Sequence, residues 1–295
     1  MTLRAPFPWF GGKSTVAADV WERIGDVACY VEPFAGSLAV LLARPHVTGY
    51  EIIGDADGYL ANFWRATAFD FMAVLEHAWW PPNETDYNAR LQEFKDRSAE
   101  VCAKAEADPN LFDARLAGLW LWGQSTAILG NWPKTRGVHI MRYGMHAMKH
   151  EELRDAMMAI RNRLYRTVVL CGDFERTLRG ADTGRLHPCG VFLDPPYDPK
   201  LRDQSCYATD DAPAGRARAW ALAHGDDPNV RIALCGYEGE HDMPSTWETF
   251  AWKAVGGMDR IKGVGRGKSN RNLERIWFSP HCLKSQQLSL LGAAR

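Results

Sequence analysis

The stretch Cys29-Tyr30-Val31-Glu32-Pro33-Phe34-Ala35-Gly36-Ser37 is a short apolar run closed by an acid, a proline turn and a glycine. It predicts a strand over 29–32 and, after the turn, a helix over 38–43. Tyr50 to Gly54 predicts the next strand, which ends on Asp55. Strand, helix and strand at this spacing make a βαβ unit, and a right-handed crossover places both strands in one parallel sheet. Just upstream, Phe10-Gly11-Gly12-Lys13-Ser14 opens a predicted helix running to Ile24, with Ser14 as its cap.

Working outward, the region from Ala61 to Tyr165 carries helical patterns separated by loops rich in Trp, Gly and Pro, and reads as an insertion. Strand patterns resume at 167–171, 190–194 and 230–235, and two more at 247–254 and 275–278 suggest an antiparallel pair. The continuous apolar runs at 167–171 and 190–193 fit strands covered by helices on both faces. The expected fold class is therefore α/β, a doubly wound sheet with an inserted, mostly helical domain. Residues 1–60 and 166–295 would form the sheet domain and 61–165 the insertion. Ligands of such sheets bind beyond the carboxyl ends of the strands, where Glu32, Asp55, Asp173 and Asp194 all fall.

Composition narrows the classes. With 46% hydrophobic and 24% charged residues the chain is of ordinary globular type. The 35 basic and 36 acidic residues nearly cancel, so affinity for nucleic acid has to come from local basic patches. The seven cysteines show no CxxC pair and no metal-ligand spacing with histidine, which fits free thiols in a reducing compartment. Neither a secretory leader nor a membrane span is legible. The twelve tryptophans read first as core.

The chemistry centres on Asp194-Pro195-Pro196-Tyr197, directly after the strand Val191-Phe192-Leu193. An exocyclic amino group on a nucleobase is a poor nucleophile, because its lone pair is delocalised into the ring. A carboxylate and a backbone carbonyl that accept its two hydrogens return electron density to nitrogen as an electrophile approaches. Two prolines hold that carbonyl rigidly and bring no N–H to compete for it. Tyr197 offers a face on which an extruded base stacks. Read alone, the tetrapeptide is also a strand-to-loop stop signal.

Gly36, in the first βα turn, lets the backbone approach a ligand closely, and a helix N-terminus after it favours a carboxylate. Asp55, 19 positions further on, stands where an acidic side chain accepts ribose hydroxyls, which suits an adenosine-type cofactor. Gly12-Lys13-Ser14 and Gly267-Lys268-Ser269 are not nucleotide-triphosphate loops, since the required upstream glycine is replaced by Phe7 and Lys262 respectively.

In the order Trp-x-Gly-Gly-Lys, Glu-Pro-Phe-x-Gly, Asp and Asp-Pro-Pro-Tyr, these pieces resemble the Dam-like, alpha-group DNA N6-adenine methyltransferases of the class I S-adenosyl-L-methionine-dependent family. The resemblance is close over residues 6–65 and 166–200. It implies a Rossmann-like class I methyltransferase sheet with a target-recognition insertion, and S-adenosyl-L-methionine as methyl donor. It places Trp9, Lys13, Glu32, Phe34, Gly36, Asp55, Asp173, Phe174 and Asp194 on the cofactor side, with Asp194, Pro195, Pro196 and Tyr197 holding the target base. One departure stands out: the family's second glycine, two after Gly36, is Leu38 here, so a slightly wider turn is expected. The same amino-group logic also serves cytosine N4, and a non-catalytic module that retains the fold and binds DNA or cofactor is a further alternative.

Two basic stretches are candidates for DNA. Residues 131–166 hold eight Lys or Arg against three acids, and 260–275 hold six against Glu274 alone. Lys134, Arg136, Arg142, Arg266, Lys268 and Arg271 are the candidate contacts, although 151–166 equally reads as a solvated helix face. Double-stranded DNA is the expected partner, without membrane or metal, and the enzyme is expected to be either an orphan or the genetic partner of a separate restriction endonuclease. The expected location is the cytoplasm of a bacterium or of a phage-infected host.

Overall fold

The computed structural model describes residues 3–9, 11–45, 49–127, 132–133, 144–181, 186–197, 213–253 and 272–284. In chain order the elements are α1 (Ala17–Ile24), β1 (Cys29–Glu32), α2 (Ala39–Leu42), β2 (Tyr50–Asp55), α3 (Gly58–Ala78), α4 (Glu84–Ala107), α5 (Ala114–Thr126), α6 (His150–Leu164), β3 (Thr167–Cys171), α7 (Phe174–Leu178), β4 (Cys189–Leu193), α8 (Pro213–His224), β5 (Val230–Tyr237), β6 (Glu248–Ala251) and β7 (Glu274–Phe278). The strands follow the order β3-β2-β1-β4-β5-β7-β6, a mixed α/β architecture consistent with a class I methyltransferase sheet. β1 pairs parallel with β4 and β4 with β5, whereas β7 runs antiparallel to both β5 and β6. Strand order reverses between β1 and β4, so the acids ending these two strands, Glu32 and Asp194, flank a topological switch point.

The described residues group into two compact units, Met1–Gly12, Ala35–Leu42 and Ile53–Phe174 in the first, Lys13–Phe34, Ala43–Ile52 and Glu175–Arg295 in the second. In the first unit, α3 starts on a firm cap: the Asp57 carboxylate accepts the amides of Tyr59 at 2.9 Å and Leu60 at 3.4 Å. Asn83 and Asp113 cap α4 and α5 in the same way. Phe7 packs edge-on against Phe63 and Trp120, and its ring centroid lies 5.6 Å from that of Trp64. Arg65 is almost wholly buried, yet its guanidinium donates to the carbonyls of Val169, Ala105, Asp108 and Leu111, tying α3 to β3 and to the end of α4. α6 buries Leu153, Met157, Ile160 and Leu164, a helical stripe, and leaves Arg154 exposed and Arg161 half-buried.

In the second unit every residue of β4 is buried, and β5 is nearly so. α1 turns Ala17, Val20, Trp21 and Ile24 inward, one stripe at helical spacing.

Three local expectations are corrected. α1 begins at Ala17 rather than near Ser14, and its cap position is Val16, which has no side-chain acceptor to give. α2 is a single turn, too short for a substantial end dipole, so attraction of a carboxylate to a helix N-terminus is not available there. β3 is only partly covered, as its terminal place in the strand order requires; a continuous apolar run does not distinguish an edge strand from a central one.

Candidate active site

In the second unit, the chain leaves buried β4 at Asp194 and the two prolines carry it to Tyr197. Lys13 Nζ donates to Asp194 Oδ2 at 2.7 Å, with the lysine side chain only 5% exposed. The Tyr197 hydroxyl lies 2.8 Å from Glu274 Oε2 and 3.2 Å from Asp194 Oδ1. Lys13 Nζ also sits 5.4 Å from the Tyr197 ring centroid and 5.8 Å from that of Trp252, where the ring faces attract a cation. Burial opposes the Lys13 charge, but Asp194, Cys235 and Glu274 outweigh it and hold the ammonium well above its ordinary range. Burial raises the Glu274 carboxyl, with Lys13 offsetting part of that, and burial likewise raises the Tyr197 phenol and the Cys235 thiol.

Tyr197 packs edge to face on Tyr237 and is 6% exposed, so the open stacking face expected from the sequence is covered in this arrangement. Glu32, 2% exposed at the end of β1, accepts the Tyr30 hydroxyl at 3.0 Å. Phe34 follows it, half-buried.

In the first unit, Gly36 takes φ +47°, its amide donates to Asp55 Oδ2 at 3.0 Å, and its carbonyl accepts the Trp64 indole N–H at 3.0 Å. A β carbon on Gly36 would lie 2.7 Å from Trp9 Nε1, so only glycine fits both the backbone and the space. Leu38, at the place of the missing second glycine, also adopts positive φ, +55°, with its side chain fully buried. The turn therefore keeps a glycine-like path instead of widening, because burial of Leu38 outweighs its backbone strain. Asp55 Oδ1 accepts the Asp57 amide at 2.9 Å. Burial, then the nearby Asp57 charge, push the Asp55 carboxyl up to about 7, while hydrogen bonds from the amides of Asp57, Gly36 and Ala56 work the other way. Asp173 is exposed beyond β3, and Phe174 is buried at the start of α7.

Sequence reading missed Glu274, Tyr237, Trp252 and Cys235, which surround Lys13 and Tyr197. Only Glu274 left a trace, as the single acid in the basic stretch 260–275. Arg275, counted in that stretch, pairs instead with Glu238 at 2.8 Å. Lys134, Arg136, Arg142, Arg266, Lys268 and Arg271 lie outside the described residues, as does the loop after Tyr197. Among the described residues no helix is long and apolar enough to cross a membrane, and no group of three or more His, Cys, Asp or Glu is placed to hold a metal ion.

No curated protein matches the chain significantly. The family model for D12 class N6 adenine-specific DNA methyltransferases matches residues 9–216, which include the Gly36 turn, Asp55 and the Asp194 tetrapeptide. The chain thus belongs to the D12 class N6 adenine-specific DNA methyltransferases, enzymes that transfer a methyl group from S-adenosyl-L-methionine to the N6 amino group of adenine in DNA.

Proposed function

We propose that Asp194 and the Pro195 carbonyl accept the two N6 hydrogens of the target adenine and so raise the nucleophilicity of its nitrogen. The observation that carries this reading is the fixing of Asp194: Lys13 binds one carboxylate oxygen and the Tyr197 hydroxyl lies against the other. Each oxygen has a second lone pair for the substrate. Pro195 and Pro196 stiffen the carbonyl, and Tyr197 steadies the carboxylate and borders the base.

For the cofactor, the Gly36 turn offers backbone free of a side chain, packed so closely on Trp9 that a β carbon would strike its indole nitrogen. Asp55 keeps acceptor capacity for ribose hydroxyls after taking the amides of Gly36 and Asp57. Trp9, Gly36, Asp55, Asp173 and Phe174 in the first unit, and Lys13, Glu32, Phe34 and Asp194 in the second, are the proposed cofactor residues. When bound, S-adenosyl-L-methionine supplies a methyl group made electrophilic by its sulfonium.

Residues 61–165 act as the target-recognition insertion on double-stranded DNA, with Lys134, Arg136 and Arg142 as contacts, and Arg266, Lys268 and Arg271 contact DNA from the later basic stretch. The enzyme works in the cytoplasm of a bacterium or phage-infected host, either as an orphan or beside a separate restriction endonuclease as genetic partner. The decisive experiment is Asp194→Ala: methyl incorporation into DNA is abolished while cofactor binding stays measurable by titration. Transfer at the native rate would overturn the assignment.

A further inference from the structure

Methylation turns –NH2 into –NH–CH3. The new N–C bond uses the nitrogen lone pair, the pair of the broken C–S bond stays with the donor, and one N6 proton has to leave. Asp194 is the nearest base to that proton under the reading above, on which this inference rests. Its Oδ2 is held by the Lys13 ammonium, and its Oδ1 is the oxygen that faces the Tyr197 hydroxyl.

A phenol carries one hydrogen, yet two carboxylate oxygens flank the Tyr197 hydroxyl. The shorter contact, 2.8 Å, is to Glu274, and the longer, 3.2 Å, to Asp194. The phenol proton thus belongs on the Glu274 side, and a lone pair of the phenol oxygen faces Asp194 Oδ1. We propose that Glu274 is the terminal proton acceptor of the transfer step, reached from Asp194 through the Tyr197 hydroxyl. The N6 proton passes to Asp194. From there Oδ1 gives a proton to the Tyr197 oxygen as the phenol proton moves to Glu274 Oε2. Asp194 and Tyr197 return to their starting forms, and Glu274 ends neutral.

Glu274 suits this role. It is 7% exposed, it starts β7, and it stands beyond the residues that carry the family match. Burial raises its carboxyl, as a proton acceptor in an apolar setting requires. The groups acting on it are Lys13, Asp194 and Tyr197, with Cys235 on β5 and Glu240 beyond it; Arg275, next in sequence, is paired with Glu238. Glu274 acts through Tyr197 and is a positioning and relay residue, since it does not itself meet the base.

The test compares E274Q, which keeps a hydrogen-bond acceptor for Tyr197 but takes no proton, with E274D, which keeps the carboxylate. The expected result for E274Q is single-turnover methylation of DNA slowed tenfold or more at unchanged cofactor affinity, with the rise of rate with pH flattened. E274D retains that rise. In the free protein a raised carboxyl makes stability fall as pH climbs from the ordinary carboxylate range through the folded value, and E274Q removes that part of the slope. If E274Q does not fold, the pH profile of Tyr197→Phe decides: since Tyr197 also steadies Asp194, a rate loss with the rise flattened supports the relay, and a rate loss with the rise retained overturns it. Native rate and pH profile in E274Q, or equal slowing of E274Q and E274D with the profile unchanged, would overturn the relay. Asp194→Ala measured alongside separates the two readings: an active Asp194→Ala removes the foundation, whereas an inactive one with a native E274Q removes the relay alone.

Discussion

Lys13 Nζ lies 2.7 Å from Asp194 Oδ2, joining residues 181 positions apart in a pair whose lysine is 5% exposed and aspartate 20%. Such a pair orients the carboxylate more than it adds net stability, but loss of one partner leaves a charge without compensation. Lys13→Met is therefore expected to destabilise the protein by about 3 kcal/mol, the low end for breaking a buried pair. It is also expected to slow methyl transfer more than it weakens cofactor binding. Urea denaturation and single-turnover kinetics check the two parts; unchanged stability would mean that Asp194 finds another partner.

Leu38 combines positive φ with complete burial, so truncation there separates the two terms. Leu38→Ala should cost about 2–5 kcal/mol from the cavity left behind. Leu38→Gly relieves left-handed strain of about 1 kcal/mol that alanine retains, so the glycine variant is expected to be the more stable of the two. The usual order of alanine over glycine is thereby reversed. Paired thermal melts decide it.

Asp55 gives a pH prediction. Its carboxyl is pushed up to about 7 by burial, so its charged, accepting form grows as pH rises through that value. Cofactor affinity is expected to increase between pH 6 and about 8, and Asp55→Asn to flatten the profile. The linked effect on the free protein has the opposite direction: the contribution to stability is complete below the ordinary aspartate range and is lost as pH climbs through about 7. Isothermal titration and melts at several pH values measure both.

Arg65 donates to four backbone carbonyls from a buried position. Arg65→Met leaves those acceptors in an apolar interior, at about 1–3 kcal/mol for each one that stays unpaired. Loss of cooperative unfolding at ordinary temperature is the expected outcome. Arg65→Lys rescues only partly, because an ammonium lacks the planar fork.

Much of this protein is determined locally. Alternation and apolar runs marked the positions of the seven strands among the described residues, since periodicity is local, but not that β3 lies at the edge of the sheet and is only partly covered. Asp194-Pro195-Pro196-Tyr197 and the Gly36 turn were legible because each is a contiguous segment whose backbone path follows from its own prolines or glycine. Helix starts were less so: α1 begins three residues after Ser14, where packing of Ala17 and Val20 overrides a local cap. Leu38 reads as a break in the glycine pattern, and only the fold reveals that the backbone keeps its path.

What the tertiary structure alone decided is the company of the Asp194 tetrapeptide. Lys13, Tyr237, Trp252 and Glu274 come from distant segments, and no spacing rule links them to Asp194. Their meeting depends on strand order, which places β5 beside β4 and folds β7 back along β5. A motif specifies which atoms face the reaction, but burial and pairing of charges depend on every element packed around them. The sequence by itself determined the sheet and the amino-group chemistry; the tertiary structure decided which buried cation and carboxylate hold that chemistry in place.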